Sequence, residues 1–143
     1  ISNMTYNNQS FNYYMVDNGN FHSLLFMDNT DLSEFENINL EPIFKFINNE
    51  IIDNNIQENN VSIIAKIDSK FYARTRERGA GETLACGTAS ASIGFVISSE
   101  IIHNEKVEVI HKGGVLTNYV YKNKVDQSGK SAVIFNGYYY YER

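Results

Sequence analysis

The sequence predicts an α+β fold, a mostly antiparallel, barrel-like β-sheet wrapped around one central helix. Three observations carry this expectation. Apolar, β-prone runs of four to eight residues recur along the chain, most of them bounded by Asn, Asp, Gly or Ser. One helical segment of fourteen residues, Cys86–Ser99, has no charged face, and a helix without a polar side belongs inside something. No internal repeat, low-complexity tract or Pro/Gly/Ser linker divides the chain, so residues 1–143 read as a single domain.

The elements follow in order. Phe11–Val16 and Phe21–Met27 are the first two strand runs. Leu40–Ile51 breaks the pattern: Glu41-Pro42 opens it, and Ile43, Phe44, Ile47 and Ile51 recur at helical intervals, as expected for a helix with proline in its first turn. Val61–Ile67 and Phe71–Arg78 form a strand pair around the tight Asp68-Ser69-Lys70 connection. In Cys86–Ser99, the run Gly87, Thr88, Ala89, Ser90, Ala91, Ser92, Gly94 lets neighbouring backbone approach closely. Val107–His111 and Val115–Tyr121 flank a turn at Gly113-Gly114. Ala132–Phe135 and Tyr138–Tyr141 are expected to close the sheet as terminal strands or an edge.

Composition narrows the function. With 43% apolar and 20% charged residues the chain is ordinary for a globular protein, and no stretch reaches the ~18–20 apolar residues of a membrane helix. A net charge of −5 disfavours non-specific binding to nucleic acid or anionic membranes. Cys86 is the only cysteine, which excludes an internal disulfide and a Cys-rich zinc site. With no basic and apolar leader in the sequence, the expected compartment is a reducing cytoplasm.

The chemistry concentrates in residues 74–94. Three of the four arginines are Arg74, Arg76 and Arg78; on a strand they share one face and Glu77 points to the other. Alone they read equally as a solvated edge. Cys86-Gly87-Thr88 then opens the uncharged helix, whose first turn offers unpaired N–H groups and a partial positive charge, suited to a carboxylate. The same field is expected to lower the thiol pKa from its free value of ~8.5 toward neutrality, as general acid–base work requires. A lone cysteine is otherwise an inert core residue. The nearby glycines, poor core formers that let backbone approach a ligand, favour a site with Cys86 accessible at the helix start.

Glu77-Arg78-Gly79-Ala80-Gly81-Glu82-Thr83-Leu84-Ala85-Cys86-Gly87-Thr88 resembles the signature of diaminopimelate epimerase. Gly19-Asn20-Phe21-His22 is similar to that family's Gly-Asn-Pro-His, Asn60-Val61 to its Asn-Ile/Val, and Gly113-Gly114-Val115-Leu116 to its Gly-Gly-x-Leu turn. The resemblance spans essentially the whole chain. It implies a diaminopimelate-epimerase-like domain and a cofactor-independent isomerase, which interconverts L,L- and meso-diaminopimelate for lysine and peptidoglycan synthesis. Two cysteines serve as acid and base on opposite faces of the α-carbon. Carried over, Cys86 is one of the two. Gly87 and Thr88 bind the α-carboxylate, Asn20, Asn60, Glu77 and Arg78 hold substrate groups, and His22 and Glu77 tune the thiols.

The departures are Phe21 in place of proline, Ala89 in place of glycine, Gly129-Lys130 in place of Gly-Pro, and His111-Lys112 before Gly113. The largest is length. The family has two domains of about this size, and the N-terminal one carries the second cysteine. This chain resembles the C-terminal half, so the resemblance implies an N-terminal partner domain, a small amino-acid substrate, a possible homodimer, and no activity from the half alone. The alternatives are a related cysteine-based racemase acting on proline, hydroxyproline or histidine, a non-catalytic binding half-domain, or a cysteine hydrolase pairing Cys86 with His22 or His111.

Overall fold

The expected strand runs assemble into one sheet, seen in a computed structural model that describes residues 2–28, 30–51 and 59–142. Among these residues the strands are β1 (Ser2–Tyr6), β2 (Gln9–Asp17), β3 (Phe21–Met27), β4 (Asn60–Ile67), β5 (Lys70–Glu77), β6 (Gly81–Thr83), β7 (Lys106–His111), β8 (Gly114–Tyr121) and β9 (Lys124–Gly129). The helices are α1 (Leu32–Asn37), α2 (Leu40–Phe46) and α3 (Gly87–Val96), the last two continued by wider turns over Ile47–Ile51 and Ile97–Ile102.

Strand order is β1-β2-β3-β4-β5-β7-β8-β9, with β6 on β5. Only β3–β4 and β5–β7 pair in parallel. β7 joins β5 only at Phe71 and Tyr72, and β6 takes the far end at Thr75–Glu77. The sheet therefore splays there and curves around α3, which packs on β3, β7, β8 and β9. The expected α+β class and wrapped central helix hold, although the sheet is open: the order ends on β1 and β9 as separate edges.

β3 and β4 are buried on both faces, which divides the core in two. Leu25, Ile63 and Val61 face α1 and α2 with Phe35, Ile43 and Phe44. Leu24, Phe26 and Ile64 face α3 with Ile93, Val96, Val107 and Val109. Each fully buried Leu or Ile contributes about 1.5–3 kcal/mol, so this double-sided centre anchors the molecule.

Local signals set the element ends. Asp68 and Ser69 adopt left-handed backbone (φ 47° and 63°), the geometry of a two-residue hairpin turn. Asp31 accepts from the Glu34 amide at 2.8 Å to start α1, and Asn39 accepts from the Glu41 amide at 3.1 Å to start α2. No helix among the described residues is long and apolar enough to cross a membrane.

One expectation fails. Ala132–Phe135 and Tyr138–Tyr141 form no strand, and Val133, Ile134, Phe135 and Tyr138–Tyr141 are 70–96% exposed. Both faces of this segment are apolar, and no described strand pairs with it.

Candidate active site

Register brings the candidate residues together. His22 lies opposite Asn60 across β3–β4, and one step beyond the Val61–Arg76 pair sets Asn60 opposite Glu77. Their alternation places all three on the α3 side of the sheet, above Leu24, Ile64 and Ala73. Cys86 stands over this row as the residue that precedes α3, with extended backbone (φ −125°, ψ 115°) and its carbonyl accepting the Ser90 amide at 2.9 Å.

The thiol is 5% exposed and lies 3.5 Å from the Thr88 hydroxyl. Its pKa is raised, chiefly by burial and further by the Glu77 carboxylate, against an opposing pull from Thr88 and the Ala89 amide. This corrects two expectations, since Cys86 is neither exposed nor acidified. The first-turn Ala89 amide does pull the pKa down, but loss of water outweighs it.

Glu77 is fixed by the Thr83 hydroxyl, which donates to it at 2.6 Å. The Asn60 side-chain oxygen accepts the Arg78 amide at 2.8 Å and so holds the turn into β6. His22 is fully buried, with no hydrogen-bond partner for either ring nitrogen among the described residues. Burial lowers its pKa, partly offset by the Glu77 charge, so the ring is neutral at pH 7. Gly87 and Thr88 begin α3 at the surface, Arg78 is exposed at the rim, and Asn20 is half-buried in the β2–β3 turn. No three His, Cys, Asp or Glu side chains among the described residues gather as metal ligands.

The arginine strand face has another role. Arg74, 6% exposed, makes a two-point bond to Glu82 at 2.8 and 2.9 Å and donates to the Phe35 and Glu36 carbonyls at the end of α1. Arg76 pairs with Glu41 and stacks on Phe44, 4.4 Å from the ring centre. Both tie the helices on the face opposite Glu77. Arg74 and Lys112 hold the Glu82 carboxyl down at about 2. A carboxyl lowered from 4.5 stabilises the fold above that value and loses the contribution as pH falls toward 2. Urea denaturation from pH 6 to pH 2 is expected to show this acid loss in the native chain and a flatter profile in Glu82→Gln; superimposable profiles would remove Glu82 from the acid response.

The sequence shows Thr83 and Glu82 as part of the signature without showing their roles, and it does not single out three carboxamides around α3. Asn18 donates to the Thr88 carbonyl and the Ser92 hydroxyl, both at 3.0 Å. Gln127 donates to the Gly87 carbonyl at 3.0 Å and to Asn118 at 2.8 Å, and Asn118 donates to Ser90 at 3.1 Å. In a chain so rich in Asn these residues look like turn formers, and only tertiary contact distinguishes them.

An open sheet curved about one uncharged helix, with a cysteine at the helix start and a carboxylate beside it, defines an α+β domain with a thiol–carboxylate site. The diaminopimelate epimerase family model matches residues 14–134, and the chain belongs to that family. A diaminopimelate epimerase from Carboxydothermus hydrogenoformans is 31% identical over 140 residues, covering 92% of this chain and 46% of that protein. One from Hydrogenobaculum sp. is 33% identical over 138 residues, covering 93% and 48%. The chain thus spans about half the length of the curated relatives it matches. Among solved structures, a phenazine biosynthesis protein of the PhzF family from Enterococcus faecalis shares the fold, with a TM-score of 0.58 and 18% identity over 80% of this chain and 42% of that one.

Proposed function

We propose that this chain is the C-terminal half of a two-thiol, cofactor-independent epimerase that interconverts L,L- and meso-diaminopimelate, and that the half alone is inactive. The observation that carries the reading is the His22–Asn60–Glu77 row lying under a cysteine at the start of α3. Family membership supports the substrate.

Inverting an α-carbon needs a base on one face and an acid on the other. With its pKa raised, Cys86 rests as a thiol and donates its proton to the α-carbon, while a thiolate from an N-terminal domain removes the proton from the opposite face. Each turnover leaves the two sulfurs with exchanged protonation states; proton exchange with water resets them for the next forward turnover, and the exchanged state is the one that starts the reverse reaction. The first-turn Gly87 and Thr88 amides, with the field of α3, bind the α-carboxylate and stabilise the charge that develops beside it. His22 and Glu77, on the sheet face below Cys86, tune the thiols. Substrate contacts from Asn20, Asn60 and Arg78 complete the reading.

The surface around the site supports a partner domain. Leu84, two residues before Cys86, is 69% exposed, and its carbonyl accepts the Gly113 amide at 2.7 Å, so the signature and the β7–β8 turn share one rim. The apolar segment after β9 starts beside this rim, where Gly129 meets Leu116. Apolar surface on this scale is buried by a docked body. A cytoplasmic location follows from the proposed pathway.

Proton NMR of L,L-diaminopimelate in D₂O tests the reading. No loss of the α-proton signal is expected with this chain alone, and loss is expected when it is joined to the cysteine-bearing half. Sustained exchange by the chain alone would overturn the half-site reading.

A further inference from the structure

We propose that Asn18, Asn118 and Gln127 are positioning residues that set where the first turn of α3, and with it the Cys86 thiol, stands against the sheet. The inference rests on reading Cys86 as a reacting group, although its test does not depend on turnover.

From Gly87 to Ser92 no side chain of α3 is larger than threonine. Packing of such small groups is non-directional and leaves the helix free to slide or rotate by fractions of an ångström, whereas hydrogen bonds are directional and fix both motions. The start of the helix has no side-chain cap of its own, so its position is set from outside.

The three carboxamides supply that from two flanks. From the β2–β3 turn, Asn18 reaches the Thr88 carbonyl and the Ser92 hydroxyl, each at 3.0 Å. From β9, Gln127 reaches the Gly87 carbonyl at 3.0 Å and the Asn118 oxygen at 2.8 Å. Asn118, fully buried on β8, passes the contact inward to Ser90 at 3.1 Å. It also fits directly against Gly94, where an added Cβ would meet the Asn118 Cβ at 2.7 Å. The helix is thereby held at Gly87, Thr88, Ser90, Ser92 and Gly94. The contacts land on the two residues whose amides face the proposed carboxylate position. They also hold the β2–β3 turn, with Asn20, against the same helix turn.

Asn18 and Gln127 are largely exposed, so Asn18→Leu, Gln127→Met and the double variant retain a folded chain. Cys86 is the only thiol, and its alkylation by iodoacetamide from pH 6 to 10 reads its position directly. The titratable groups on the sheet face below it, Glu77 and His22, are unchanged in all variants. The double variant is expected to alkylate about fivefold faster at pH 8, with its profile moved down toward that of an ordinary thiol, and the single variants are expected to lie between. An unchanged profile in folded variants would overturn the proposal. So would a rise that tracks the fall in urea midpoint across the three, since that reads global opening. If the double variant does not fold, the singles decide by the same criteria. A shifted profile in a protein whose joined form shows no epimerase activity would leave the positioning role standing and refute the catalytic one.

Discussion

Replacing Cys86 with alanine in the protein joined to its cysteine-bearing half is expected to lower epimerisation by about 10³-fold or more, because paired acid and base groups act as a unit. Cys86→Ser is expected to fare little better. A hydroxyl has nearly the size of the thiol but is far less willing to exchange its proton, and the burial that already raises the thiol pKa bears on the hydroxyl as well. The more telling readout is isotopic. With only the opposing thiolate left, the α-proton can be removed and returned on one face. One of the two epimers should therefore still exchange with D₂O, without inverting, while the other does not exchange. Loss of exchange from both epimers alike would show that Cys86 binds or orders the site. Undiminished epimerisation would remove it from the chemistry.

Much of this arrangement was legible in the sequence because it is local. The β3, β4 and β5 runs carry strong alternation or continuous apolar patterning, and α3 declares its burial by having no charge. The row of His22, Asn60 and Glu77 follows once those three strands are placed in register. The structure departs from the sequence where a partner decides the outcome. β1 and β9 are polar edge strands whose identity comes from the neighbour they pair with, as in Lys124–Gly129 on β8. α1 has six residues, too few for a periodic signal, and owes its place to Phe35 in the core and Arg74 at its end. Conversely, Ala132–Phe135 and Tyr138–Tyr141 have every local mark of a strand and pair with no strand among the described residues, since a local apolar pattern does not specify a pairing partner.

The thiol shows the same division. The helix start beside Cys86 is readable from Gly87-Thr88 and argues for an acidified sulfur. The degree of burial depends on what Glu77, Thr88 and the sheet face place around it, and burial has the larger effect. A resting thiol beside a carboxylate suits the proton-donating half of the proposed two-base reaction.

Arg74→Met is expected to cost about 3 kcal/mol of stability and about 10 °C in Tm, the larger of the two arginine effects on this strand face. Methionine replaces the stem but leaves Glu82, 27% exposed, with only Lys112, and strips the donors from two carbonyls at the end of α1. Arg74→Lys is expected to recover little, because an ammonium lacks the planar fork that meets both Glu82 oxygens while reaching the helix. Arg76→Met should cost only about 1 kcal/mol: its partner Glu41 is 42% exposed, and methionine keeps contact with the Phe44 ring. Urea denaturation at pH 7 separates the two. Equal and small losses would mean that the arginine face is a solvated edge after all, with β6 held by its backbone alone. A large loss confined to Arg74 would instead make this side chain the tie between α1 and the short strand that, through Thr83, holds the Glu77 carboxylate beside the thiol.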